Sequence, residues 1–326
     1  MSSHINTWAL VLAAGEGCRV RLLTTAPFGV TVPKQFCSLH EGPSLLHEAL
    51  CRATAVASRR RTCSVVAAPH RRWWQPLLES LPSENIFVQP KNCGTAHGIL
   101  LPLLDIVERE PDAQLVLLPS DHHVRNETIL SQSLRRAAEW LGRERDGMLL
   151  LGMSPEEADP ELGYIVPGDG NSRGALDVER FIEKPTREQA QILIARGALW
   201  NAFIVATTAQ ALLTLFRRTI PDSVVAMCDA LRQDRVTAGA AHAIAVLYEQ
   251  LPNRDFSRHV LPGQESHLHV LPVPFCGWSD LGTPKRIAKV LQRFSQPEGK
   301  PTFAAPAPVL SLAAQQSRSQ SSSASL

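Results

Sequence analysis

Residues 8–19 read Trp8-Ala9-Leu10-Val11-Leu12-Ala13-Ala14-Gly15-Glu16-Gly17-Cys18-Arg19, and the passage from an apolar run into a glycine turn sets the reading of the whole chain. A short continuous apolar run closed by turn residues is the pattern of a strand covered on both faces. Small residues at 13 to 15 and Gly17 allow a tight turn whose backbone N–H groups approach an anion, and Arg19 offers a forked, permanently charged donor to phosphate oxygens. Val20 stands where the dinucleotide fingerprint needs a third Gly or Ala, and no Gly-Lys-Ser/Thr follows, so neither that loop nor the P-loop is present. Taken alone, the turn fits a plain strand-to-helix connection as well as a phosphate site.

Outward from this stretch, short apolar runs near 62–67, 86–88, 114–119, 148–152, 178–183, 199–206 and 268–273 read as further strands. Amphipathic stretches near 43–57, 70–80, 95–110, 127–142, 187–196, 209–218, 222–234 and 283–294 read as helices between them. That alternation predicts an α/β fold, a mostly parallel mixed sheet flanked by helices on both faces, with ligands beyond the carboxyl ends of the strands. The folded domain is expected over 1–295. From 296 to 326 the chain turns to Pro, Ala, Ser and Gln, which bury too little apolar surface to order a segment, so a disordered tail is expected there.

The 326 residues are 44% hydrophobic and 20% charged, enough for a large core. Thirty-three Lys and Arg against thirty-one Asp and Glu leave a formal charge of +2, too even to draw nucleic acid or a membrane by field alone. Neither partner is expected. No stretch reaches the ~18 apolar residues of a membrane span, and the first residues lack a signal-peptide pattern, so a cytoplasmic chain is expected. The seven cysteines, at 18, 37, 51, 63, 93, 228 and 276, form no Cys-x-x-Cys pair and are expected as reduced thiols.

Further pieces follow the glycine turn in order: Pro33-Lys34-Gln35-Phe36, Gln89-Pro90-Lys91-Asn92-Cys93-Gly94-Thr95-Ala96, Leu118-Pro119-Ser120-Asp121-His122, Gly163-Tyr164-Ile165, Phe181-Ile182-Glu183-Lys184-Pro185, Leu199-Trp200-Asn201 and Gly277-Trp278-Ser279-Asp280-Leu281-Gly282. Singly each is bland. Lys34 reads as a solvated lysine, an aspartate after a strand as a turn or cap residue, and Glu183-Lys184 as an exposed strand end. Together the eight colinear motifs resemble the sugar-nucleotide pyrophosphorylases, and specifically the mannose-1-phosphate guanylyltransferases.

The resemblance implies the Rossmann-like nucleotidyltransferase fold and a set of roles. Leu12, Ala13, Ala14, Gly15, Gly17, Gly94 and Thr95 would bind the nucleotide, and Gln89 its base. Arg19 would clamp the β and γ phosphates and Lys34 would face the α phosphate. Asp121 and Asp280 would hold Mg²⁺, a hard cation that takes few protein ligands and keeps waters. Gly163, Glu183, Lys184 and Asn201 would bind the sugar phosphate. The implied substrates are GTP and mannose 1-phosphate, giving GDP-mannose and pyrophosphate by in-line displacement, with a homodimer among the implied partners. Other sugar 1-phosphates or triphosphates, or a weakly catalytic regulatory paralogue that binds a sugar nucleotide, stay open as alternatives. A transferase using a finished sugar nucleotide would be expected to carry Asp-x-Asp, which is absent.

Departures from the family pattern fall at Ala14 for Gly, Cys18 for Thr, Val20-Arg21-Leu22 for Leu-Trp-Pro, Cys93 for Arg, and Ala202-Phe203 for Ser-Gly. Asp255-Phe256-Ser257-Arg258 stands for Ser-x-Asp-Tyr. They touch the base-facing turn and the sugar pocket and spare the phosphate and metal groups. His122 and His123 are neighbours and would point to opposite sides of an extended chain. His267 and His269 lack a third ligand.

Overall fold

In β1 (Thr7–Ala13), successive side chains enter two different cores: Trp8 and Leu10 belong to one apolar cluster, while Ala9, Val11 and Ala13 belong to the other. β4 (Gln114–Pro119) repeats the pattern, with Leu115 and Leu117 on the first side and Val116 and Leu118 on the second. This period-two division places β1 and β4 between two helical layers, and each leucine so buried stabilises the fold by about 1.5–3 kcal/mol. The computed structural model describes residues 6–25, 29–39, 42–144, 146–172, 174–236 and 242–294; the tail expected over 296–326 lies outside them.

The remaining described strands are β2 (Thr62–Ala67), β3 (Ile86–Gln89), β5 (Met148–Met153), β6 (Gly163–Ser172), β7 (Ala175–Glu183), β8 (Leu199–Thr208) and β9 (Leu268–Val273). They form one sheet in the order β3-β2-β1-β4-β8-β5-β9-β7-β6, with β8 also pairing to β6. The sheet is mixed. β3, β2, β1 and β4 run parallel, as do β5 and β9, while β8 is antiparallel to β4, β5 and β6, and β7 is antiparallel to β6 and β9.

The helices over Leu45–Ala53, Arg71–Leu78, Thr95–Arg109, Glu127–Leu141, Arg187–Ala195, Ala209–Thr219, Pro221–Val236 and Pro284–Phe294 fall where the amphipathic stretches predict them. In the helix Arg71–Leu78, Trp74 is buried and Trp73 lies half-buried under the Arg72 guanidinium, 4.7 Å from its ring.

β6 and two helices, His242–Gln250 and Phe256–His259, have no counterpart in the sequence reading. β6 contains Gly163, Pro167, Gly168 and Gly170, residues that signal a loop in isolation. It is a strand because β7 and β8 both pair with its first residues and, where β7 alone pairs with it, the ladder shifts register at Pro167, which has no N–H to give. The first turn of His242–Gln250 is capped from a distance, Asp234 accepting from the N–H groups of Ala243 and Ile244 at 2.8 and 3.1 Å. Neither device is local enough to be read from the sequence.

Candidate active site

Beyond the carboxyl ends of β1, β3 and β4 lies a cleft of about 260 Å³. One side of it is built on the glycine turn. Gln35 fastens that turn, its Nε2 donating to the carbonyls of Ala13 at 2.9 Å and Gly15 at 2.7 Å, and Ser120 Oγ donates to Leu12 O at 2.6 Å. Leu12, Ala14, Gly15 and Arg19 line the cleft, whereas Ala13 is buried behind it. Gly17 lies off the lining too. It is left-handed (φ 64°), and a Cβ there would stand 3.1 Å from the Cβ of Lys34, so this glycine lets the Lys34 loop close on the turn.

Lys34 is buried, and its Nζ lies 2.8 Å from Asp121 Oδ2 and donates to the Asp280 carbonyl at 2.6 Å. It stands behind the two aspartates rather than on the cleft wall. A backbone bridge brings those aspartates together: His123 N–H donates to Ser279 O at 2.8 Å and Ser279 N–H to His123 O at 2.9 Å. The buried Arg52 holds the first of these loops, donating to His122 O at 3.0 Å. Burial raises the Asp121 pKa, but the charges of Lys34 and His122 and the Lys34 hydrogen bond outweigh it and hold the carboxyl below its ordinary value.

His122 also lines the cleft, and burial brings its pKa down to about 4 against the opposing charge of Asp121. The ring is neutral at pH 7. Trp278 Nε1 donates to His122 Nδ1 at 3.3 Å, which places the imidazole proton on Nε2, 3.6 Å from Asp121 Oδ1. His123 is turned into the protein instead, as adjacency on an extended segment requires.

Asp280 is held at Oδ1 by Arg286 Nε at 2.8 Å and by the Gly282 N–H at 3.1 Å. Arg286 also donates to Asp159 at 2.5 Å. Arg19 pairs with Glu161 at 2.8 Å. Among the described residues no group of three or more His, Cys, Asp or Glu side chains is arranged to hold a metal. Asp121 and Asp280 both line the cleft, and two carboxylates joined by waters and phosphate oxygens are the kind of hard donors that Mg²⁺ takes.

Gln89, Gly94 and Thr95 close the same side of the cleft. Gly94 has φ 91°, and a Cβ on it would lie 2.2 Å from the Arg254 carbonyl oxygen. The segment 254–256 is sewn to this turn by Arg254 N–H to Cys93 O at 3.0 Å, Ala96 N–H to Arg254 O at 2.9 Å and Phe256 N–H to Thr95 Oγ1 at 2.8 Å.

At the other end Gly163, Glu183, Lys184 and Asn201 meet. Gly163 belongs to β6, which the sequence reading left outside its strands, and Asn201 to β8, within the strand expected near 199–206. Gly163 leaves the space into which Glu183 reaches, since a Cβ there would stand 2.6 Å from Glu183 Oε2. Burial and the like charge of Asp255 raise the Glu183 pKa to about 7, against Lys184, Arg258 and Arg19. β8 bulges between its pairings Leu150↔Val205 and Gly152↔Asn201, and the bulge contains Phe203 at φ 55° with its N–H on Asn201 Oδ1 at 3.0 Å. Lys184 and Leu281, at φ 53° and 50°, are the other described non-glycine residues with positive φ. All three lie on the cleft or beside Asp280, where strain is held by surrounding structure.

The match to known proteins is extensive. Residues 8–296 fit the nucleotidyl transferase family. The chain belongs to that family. This nucleotidyl transferase is 28% identical over 292 residues to the xanthan biosynthesis protein XanB of Xanthomonas campestris pv. campestris (strain B100), covering 88% of its own length and 60% of that protein. It is 26% identical over 285 residues to the mannose-1-phosphate guanylyltransferase ManC of Salmonella typhimurium, covering 85% of itself and 58% of the relative. The chain thus spans about three fifths of these relatives. Among solved structures it superposes, with a TM-score of 0.74 and 26% identity, on a Thermus thermophilus protein described as a mannose-1-phosphate geranyltransferase, covering 91% of itself and 81% of that chain.

Cleft-lining residues that the sequence reading left without a role include His122, Glu161, Phe203, Asp255, Ser257 and Trp278. Two signals for them were present: Phe203, Asp255 and Ser257 are departures from the family pattern, and His122 and Trp278 sit inside quoted motifs. Among the described residues no helix is long and apolar enough to cross a membrane.

Proposed function

We propose that this nucleotidyl transferase joins mannose 1-phosphate to GTP, releasing pyrophosphate and forming GDP-mannose. The observation that carries the proposal is the shared cleft in which the glycine turn, Arg19 and the Asp121–Asp280 pair face Gly163, Glu183, Lys184 and Asn201. Relatives named mannose-1-phosphate guanylyltransferase support the choice of substrates.

In this reading Arg19 leaves Glu161 for the β and γ phosphates, to which its fork is better matched. Lys34 keeps Asp121 ionised and in place, so that the carboxylates at the α phosphate need no reorganisation as charge develops. Asp121 and Asp280 would hold Mg²⁺, which supplies charge neutralisation at the reacting phosphate. Glu183, Asn201 and Lys184 would fix the sugar phosphate so that its oxygen, already anionic, attacks in line. No side-chain nucleophile is needed.

The test is pyrophosphate release by the purified chain with GTP, mannose 1-phosphate and Mg²⁺, beside Asp121→Asn and Asp280→Asn. Selective release that both variants lose by at least about 100-fold, the scale of one removed electrostatic group, supports the proposal. Phe203 and Asp255 at the cleft favour a second reading, the same transfer to another sugar 1-phosphate. Release with a different sugar in the same assay would select it.

A further inference from the structure

Gln89 ends β3 as a buried amide on the cleft wall, and its Nε2 donates to the hydroxyl of Tyr248 at 3.0 Å. Tyr248 is itself completely buried, does not line the cleft, and comes from the helix His242–Gln250, a segment 159 residues further along the chain. That helix is fastened to the same turn at two more points. Cys93 Sγ donates to Tyr248 O at 3.4 Å, and Lys91 pairs with Glu249 at 2.8 Å. Opposite the amide, Gly98 carries no side chain; a Cβ there would already lie 3.5 Å from Gln89 Oε1.

A glutamine amide has a donating and an accepting end that differ little in shape, and free rotation would let either meet a base. Here the donating end is tied to a buried hydroxyl. That contact fixes the rotation of the amide and sets the position of its acceptor Oε1, beside the second Nε2 hydrogen. Guanine presents N1–H and its exocyclic amino group side by side, two adjacent donors. Adenine sets one donor beside an acceptor, cytosine one donor beside two acceptors, and uracil offers one donor between two acceptors. An amide locked with its oxygen available favours the edge richest in donors, and unpaired buried polar groups disfavour the rest.

We infer that Tyr248 is a positioning residue for nucleobase selection, acting through Gln89 to present an acceptor to guanine. The inference rests on the nucleotide reading of the cleft. It assigns the base preference to a side chain that touches no substrate.

The experiment compares kcat/KM for GTP, ATP, CTP and UTP, with direct nucleotide binding alongside, in the wild-type protein, Tyr248→Phe, Gln89→Ala and the double variant. The wild type is expected to prefer GTP, and Tyr248→Phe to narrow that preference about tenfold, the worth of one hydrogen bond of about 1.4 kcal/mol, with the KM for sugar 1-phosphate unchanged. In the Gln89→Ala background Tyr248→Phe is expected to add no further loss of discrimination, because its effect passes through the amide. Should Tyr248→Phe fail to fold, Gln89→Ala alone must show the narrowed preference. A wild type that binds all four nucleotides equally, an unchanged preference in either single variant, or an additive double variant overturns the inference. Turnover that is absent while GTP-selective binding persists and depends on Tyr248 would instead remove the proposed reaction and leave this inference standing.

Discussion

Glu183 is a carboxyl group that burial and Asp255 hold half-protonated near neutral pH, with its pKa at about 7. Between the ordinary carboxyl value and 7 the folded protein keeps a proton that the unfolded chain has released. The associated stability is therefore full below about pH 4.5 and is lost as pH rises through 7. A ¹³C NMR titration of the glutamate carboxyl carbons is expected to show one inflection near pH 7 and to find it at lower pH in Asp255→Asn, where the like charge is gone and Lys184, Arg258 and Arg19 remain. An inflection in the ordinary carboxyl range for the wild type would refute this. Gly94 makes a steric prediction. Its φ of 91° and the Arg254 carbonyl 2.2 Å from any Cβ leave no room for a side chain. Gly94→Ala is expected to lose about 1–3 kcal/mol from the backbone alone, visible as a lower denaturation midpoint, and to weaken nucleotide binding by displacing Thr95.

The helix Pro284–Phe294 behaves as a clamp whose rungs differ in worth. Arg286 is buried between Asp280 and Asp159, whereas Lys285 reaches Glu157 with its side chain 71% exposed. Removing one partner from a buried pair leaves charge uncompensated and costs about 3–5 kcal/mol, while a solvated pair contributes about 0–1 kcal/mol. Urea titration is thus expected to separate Arg286→Met, strongly destabilised, from Lys285→Met, near wild type; equal effects would contradict the clamp. The same element illustrates what a sequence conceals. Its span from 284 to 294 is legible as an amphipathic stretch, but nothing local distinguishes Arg286 from its neighbours. Likewise β6 reads as a loop because its glycines and Pro167 are loop residues until β7 pairs with them.

At the scale of the molecule, β8 joins the parallel strands β3, β2, β1 and β4 to the strands β5, β9, β7 and β6, pairing Val205 with Leu117 of β4 and with Leu150 of β5. A central strand shared in this way couples the halves. Chemical unfolding followed by tryptophan fluorescence and by far-ultraviolet circular dichroism is expected to give superimposable transitions, since Trp8 reports the first half and Trp200 and Trp278 the second. Separate midpoints would show that the halves melt independently.

The α/β alternation, the glycine turn after β1 and the order of the site motifs were determined by the sequence itself, because apolar periodicity and turn chemistry act within a few residues. The cleft's composition was legible only through colinear motifs, and they named Arg19, Asp121, Glu183 and Asn201 without their partners. Tertiary structure alone decided that His123 and Ser279 bridge the two aspartate loops, that Lys34 stands behind Asp121, that Asp255 raises Glu183, and that Tyr248 turns the Gln89 amide. Those outcomes depend on burial and on distances between segments far apart in the chain, quantities that exist only once the sheet has closed around them.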